Sequence, residues 1–235
     1  MTYTVLGRCE RTDRLGIGIA TYSLAVGGYC PWGDGRLGVV STQANVNPAL
    51  GPAALEAMAK HSRADDILGA IRSADTAFNF RQVAIVLRDG GVAAHTGSDT
   101  RAWKGHLCGA GFVVMGNVLA GESVVTAMRD YWCGHPSSTL EARLLGCLKA
   151  GRAAGGQTNA VGEPLAERSA ALRVYAGAPY PQIDLRVDSD ADAISRLDAL
   201  YVEYEPYVDY YALRHRDPGS APPQDAWVRT MQTDA

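Results

Sequence analysis

At 235 residues the chain is long enough for one large domain or two small ones, and 47% hydrophobic with 20% charged residues is an ordinary globular composition. A formal net charge of −3 gives no electrostatic reason to expect nucleic acid or an anionic membrane as partner. No apolar run approaches bilayer-spanning length, and the N-terminus lacks the zones of a secretory signal, so the cytoplasm is the expected location.

In chain order, residues 2–8 alternate and are rich in β-branched side chains, which predicts a strand starting almost at the terminus. A polar turn at 10–14 and a second strand over 15–22 make an antiparallel hairpin. The glycine-rich stretch 25–35 predicts a loop, and 37–44 a third strand. Residues 52–60, opened by a proline, and 63–73, with Ile67, Leu68 and Ile71 at helical spacing, predict two helices. The run 81–89, a Gly90-Gly91 turn and 92–97 form a hairpin pattern, and 106–117 continues the sheet system. Amphipathic helices follow at 121–133 and 138–153, then a loop over 153–164 and two strands at 169–176 and 182–188. A closing helix covers 190–203, with Asp190 as its cap.

Strands bunched apart from paired helices predict an α+β fold, a four-layer αββα sandwich over residues 1–205, rather than βαβ alternation. Residues 206–235 mix tyrosine, proline and charge without periodicity and predict an extended C-terminal tail. Its tyrosines, with Tyr201 and Tyr204 before it, suit a contact in a homodimer or larger homo-oligomer.

The five cysteines and five histidines are scattered. Cys133 and His135 are close, but no second cluster completes a zinc site, so no metal or other cofactor is expected. There is no nucleophile elbow, phosphate loop or HExxH. The glycines of GIGIA lack the third glycine of a dinucleotide fingerprint. What remains is Thr2. Removal of Met1 would place a hydroxyl and an α-amine on one residue, and the amine can activate the hydroxyl as a nucleophile. Alone, a Met-Thr start is commonplace.

The segments TYTVLGRCERTDRLGIGIATYSLAVGGYCPWG, GVVSTQANVNPALGPAAL, FRQVAIVLRDGGVAAHTG, MGNVLAG, RSAALRV and IDLRVD, in this order, resemble the uncharacterised family DUF1028 over roughly residues 2–203. The resemblance implies membership of the N-terminal-nucleophile (Ntn) hydrolase superfamily, the αββα sandwich, and Thr2 as the nucleophile. Family members carry Thr-Phe/Tyr-Ser at this point; Thr4 replaces the serine and keeps a hydroxyl. The resemblance names no substrate.

Residue by residue, Gln43 and Asn45 at a strand end either bind a carbonyl or form an oxyanion hole, or cap the following loop. Asn117 either faces the pocket or serves an αL backbone. His95 and Thr96 end a strand, where a lone histidine is more often structural. Arg81 and Gln82 can take a substrate carboxylate. Trp103 walls the pocket or anchors a loop, and Ser23 and Ser41 can relay protons to the amine. Arg168 and Asp188 are expected to pair as a structural salt bridge. The expected function is an amidohydrolase acting on the amide or ureido C–N bond of a small molecule, with Thr2, Gln43 and Asn117 as catalytic residues. The alternative is a noncatalytic binding or assembly scaffold on the same fold. A redox role for the cysteines ranks below both.

Overall fold

The computed structural model describes residues 1–233. These form two compact units, residues 1–199 and those from Leu200 onward. The first is a mixed α/β unit with two antiparallel sheets. Its six-stranded sheet has the order β12-β11-β2-β1-β8-β7 and its four-stranded sheet the order β3-β4-β5-β6. The strands are β1 (Thr2–Cys9), β2 (Arg14–Thr21), β3 (Pro31–Asp34), β4 (Gly38–Ala44), β5 (Arg81–Leu87), β6 (Val92–Thr96), β7 (Lys104–Gly109), β8 (Phe112–Asn117), β11 (Ser169–Tyr175) and β12 (Ile183–Val187). A short pair, β9 (Gln157–Thr158) and β10 (Pro164–Leu165), stands apart. The helices are α1 (Leu50–Met58), α2 (Ala64–Ser73), α3 (Glu122–Gly134), α4 (Leu140–Ala153) and α5 (Ala193–Tyr204).

Side-chain alternation along the strands sorts the residues by face. Leu6, Leu15, Ile17, Val39, Ala84, Val86, Val113 and Met115 form one apolar cluster contributed by both sheets. The intervening residues of the four-stranded sheet, Val40, Val83 and Ile85, pack instead with Leu50, Ala54, Ile67 and Ile71 of α1 and α2. On the six-stranded sheet, Gly16 and Gly18 face α4. A Cβ at Gly16 would lie 2.5 Å from Leu144 Cδ1, so these glycines serve close helix–sheet approach and not a phosphate loop.

Several expectations need correction. The stretch 25–35 is not loop throughout: Val26–Gly28 is a 3-10 turn, and β3 pairs with β4 because Pro31 lies on an edge strand, where its missing N–H is no loss. The loop 153–164 contains β9. The closing helix starts at Ala193, and Asp192 Oδ1 accepts from Ser195 N at 3.2 Å, whereas Asp190 accepts from Asp192 N. Asp188 pairs with Arg186 at 2.8 Å instead of Arg168, whose guanidinium lies over the Tyr22 ring. Asp188 and Arg186 stand two residues apart on one strand line, which brings their side chains to the same face.

The segment expected to be an extended tail is helical: α6 (Tyr207–Arg216) and α7 (Gln224–Thr233). Tyr210 stacks on Trp227 with ring centroids 4.4 Å apart, and Tyr207 meets the same indole edge-on at 4.9 Å. The aromatic residues that obscured a helical period are those that join the two helices. Residues 234 and 235 of the expected tail lie outside the described residues. No helix among the described residues is long and apolar enough to cross a membrane.

Candidate active site

The face of β1 that contributes Leu6 to the inter-sheet cluster carries Thr4 and Thr2 at its other end. The same change of character occurs on β4, from Val39 to Gln43, and on β8, from Met115 to Asn117. A polar patch thus closes one end of the space between the sheets. Thr4, Gln43 and Gln82 are completely buried, and Asn117 is 1% exposed.

Buried amides have to be hydrogen-bonded, and here they bond one another. Thr4 Oγ1 donates to Gln43 Oε1 at 2.5 Å, and Gln43 Nε2 donates to Gln82 Oε1 at 2.8 Å. Asn117 Nδ2 donates to the same Gln82 oxygen at 3.0 Å. Gln82 Nε2 in turn reaches Gly116 O at 2.9 Å, Thr96 Oγ1 at 2.9 Å and Gly105 O at 3.1 Å. Thr96 Oγ1 is 2.8 Å from His106 Nδ1. Gln82 is therefore the hub of a network spanning both sheets.

Thr2 borders this network, on central strand β1 between Thr21 of β2 and Asn117 of β8. Its Oγ1 donates to Met1 O at 2.6 Å and lies 3.1 Å from Thr21 Oγ1, which also donates to Met1 O. Gln43 Nε2 stands 3.4 Å from Thr2 O. A cavity of about 70 Å³ beside Met1 and Thr2 is lined further by Thr21, Ser23, Tyr29, Cys30 and Gln43. Burial, with Arg101 nearby, holds the Met1 amine down at about 6. Burial pushes the Cys30 thiol up to about 12, so it is a neutral wall of the cavity.

Two backbone positions beside the site are unusual. Ala44, after Gln43, has φ 72°, and Val118, after Asn117, has φ 56°. Positive φ is an outlier for a β-branched residue and costs about 1–2 kcal/mol. Strand β4 ends at Ala44 and β8 ends one residue before Val118, so the strained positions directly follow the residues that carry the two amide side chains.

The other candidates divide. Ser23 lines the cavity, and its N–H donates to Thr21 Oγ1 at 3.2 Å. Ser41 is buried with its hydroxyl unpartnered and does not line the cavity. Asn45 is exposed, and its carbonyl accepts from Arg81 Nη1. Arg81 also pairs with Asp75 at 2.9 Å, so its charge is already engaged. His95 stacks on Phe78 and stands 3.2 Å from Phe78 O, outside the network. Trp103 covers Gly105, whose carbonyl accepts from Gln82, and does not line the cavity. Sequence reasoning missed Thr21, Tyr29, Cys30 and His106. Thr21 had a signal: a hairpin turning at 10–14 sets Thr2 opposite it. No group of three or more His, Cys, Asp or Glu that could hold a metal occurs among the described residues.

Residues 2–197 match DUF1028, described as a family of unknown function. The chain belongs to the DUF1028 family. A solved relative, protein SPO2555 from Silicibacter pomeroyi, of the same family, is 31% identical, with a TM-score of 0.78 over 86% of this chain and 85% of that one. Anbu (ancestral beta-subunit) from Yersinia bercovieri aligns at 11% identity and a TM-score of 0.42, covering 89% of this chain and 96% of that one. Against the curated proteins the chain has no match.

Proposed function

We propose that this DUF1028 member is an Ntn hydrolase on a four-layer αββα sandwich, with Thr2 as nucleophile once Met1 is removed, acting on the amide or ureido C–N bond of a small molecule. The observation that carries the reading is the convergence of the Thr2 and Thr21 hydroxyls on the Met1 carbonyl, the group bonded to Thr2 nitrogen. Loss of Met1 frees that nitrogen as an amine beside both hydroxyls and enlarges the cavity by one methionine. Burial beside the cavity lowers the Met1 amine, and the same burial acting on the freed Thr2 amine would favour the neutral form that takes the Thr2 proton.

In this scheme Thr2 Oγ attacks the substrate carbonyl, the amine receives the hydroxyl proton and passes it to the departing nitrogen, and water then cleaves the Thr2 ester. Thr21 orients the amine. Gln43 and Asn117 point their amide nitrogens at Gln82 Oε1, so they act as positioning residues, and the developing oxyanion falls to backbone N–H groups.

Intact mass of the protein isolated from its cells, followed by labelling with a hydroxyl-directed acylating probe, tests the reading. Loss of Met1 and label at Thr2, absent from Thr2→Ala, are expected; a retained Met1 sinks it. In a chain that keeps Met1 the hydroxyls stay occupied and the cavity small, which is the alternative reading, a noncatalytic scaffold.

A further inference from the structure

At the other end of β1, roughly 23 Å from Thr2 at the usual strand rise, lies a pocket of about 640 Å³. The β1–β2 turn, the β7–β8 hairpin, α3 and α4 enclose it, and four arginines line it: Arg8, Arg11, Arg129 and Arg143. Three of them are committed. Arg8 pairs with Asp13 at 2.9 Å and Arg129 with Asp130 at 2.7 Å, while Arg11 donates to the carbonyls of Ser137 and Ser138 at 2.8 Å each.

Arg143 is different. It is only 9% exposed, its guanidinium carbon sits 3.7 Å from the centre of the Trp132 ring, and its Nη2 donates to Trp132 O at 2.8 Å. No carboxylate among the described residues comes within ion-pair distance of it, and its Nε is buried without a partner, as is Arg8 Nε. A buried guanidinium without a counter-ion is costly, since Arg stays charged at any pH the protein meets. The ring face offsets part of that cost but supplies no anion. Glu10, which is exposed, is the one carboxylate in the lining, which leaves an excess of positive charge shared by Arg11, whose hydrogen bonds go to neutral carbonyls, and the buried Arg143. The remaining wall is apolar, with Cys108, Cys133 and Pro136 exposed on it.

We propose that this pocket binds a small organic carboxylate, its headgroup on Arg143 and its apolar body against Cys108, Cys133 and Pro136. One buried unpaired cation calls for one negative charge, and a planar guanidinium is matched by a planar carboxylate. The proposal is independent of chemistry at Thr2, which shares no lining residue with this pocket.

Benzoate is a suitable probe, followed by isothermal titration against benzamide and inorganic phosphate. Benzoate is expected to bind saturably and at least tenfold more tightly than either. Arg143→Met, which keeps the stem and removes the charge, should weaken benzoate by about ten- to a hundredfold, the worth of a charge-assisted hydrogen-bonded pair. It should also raise the melting temperature, whereas a purely structural arginine would lower it. Iodoacetamide labelling needs no variant: benzoate should slow alkylation of Cys108 and Cys133, and Thr2→Ala should bind like the wild type. Equal binding of benzoate and benzamide, tighter binding of phosphate, unprotected cysteines, or Arg143→Met binding like the wild type would each overturn the proposal.

Discussion

Thr2 and Thr21 face each other across the β1–β2 register with their hydroxyl oxygens 3.1 Å apart, and both donate to the carbonyl of Met1. A hydroxyl pair this well buried is set by the hairpin, because each strand end is fixed by the ladder behind it. Its consequence is chemical: whatever occupies the Met1 position is held by two donors.

If the amine freed at Thr2 is the base, it must be unprotonated to work. Labelling of Thr2 by the acylating probe should therefore rise with pH through an apparent value below that of an exposed amine, because burial disfavours the charged form, and level off above it. A midpoint at the ordinary ~8 of an exposed amine would show that burial does not act on it. Replacing Thr21 by valine, nearly isosteric, should slow labelling about tenfold with the midpoint moved, since the amine loses the group that orients it.

Gln82→Leu removes an acceptor for two buried amide nitrogens and an NH2 group whose two hydrogens are shared among three nearby oxygens. At about 1–3 kcal/mol for each group left unsatisfied, a loss of at least ~3 kcal/mol is expected in urea unfolding. Ser41→Ala, at an equally buried hydroxyl that has no partner, should be neutral or stabilising. Comparable losses for the two would show that the amide network does not bear the stability assigned to it.

Ala44→Gly relieves a positive φ of 72° and deletes one half-buried methyl. The gain from the backbone, about 1–2 kcal/mol, exceeds the added unfolded-state entropy of glycine, about 0.5–1 kcal/mol. A net stabilisation of up to about 1 kcal/mol is expected by denaturant titration.

The Asp75–Arg81 pair gives a stability term with a definite pH direction. Hydrogen bonding from Arg81 holds the Asp75 carboxyl below the ordinary carboxylate range, although its burial opposes this. A lowered folded-state value means the contribution is complete above the unfolded value of ~3.9 and disappears as pH falls through the folded one. Melting temperatures of wild type and Asp75→Asn should therefore differ most at neutral pH and converge below about pH 4. A difference that stays constant from pH 7 to pH 3 would exclude the pair as its source.

Much of the strand and helix order of the first unit was legible in the sequence because its signals are local: alternation marked β1, apolar runs flanking the Gly90-Gly91 turn marked β5 and β6, and spacing at Ile67 and Ile71 marked α2, whereas β3 and β9 fell in stretches that read as loop. The helices of the second unit were not. Tyr207, Tyr210 and Trp227 join α6 to α7 through a contact that no single-helix period reveals. Thr2 was singled out by its position together with the family resemblance, and Thr21 was within reach of hairpin register. Only tertiary structure could show that Gln82, on a strand of the other sheet, is the hub that ties Gln43 to Asn117. It alone showed that Arg143, an unremarkable helix residue in sequence, is a buried charge without a counter-ion. Periodicity reports which face a residue takes, whereas hydrogen-bond satisfaction and charge pairing depend on neighbours far apart in the chain, which only the packing of the two sheets and their helices brings together.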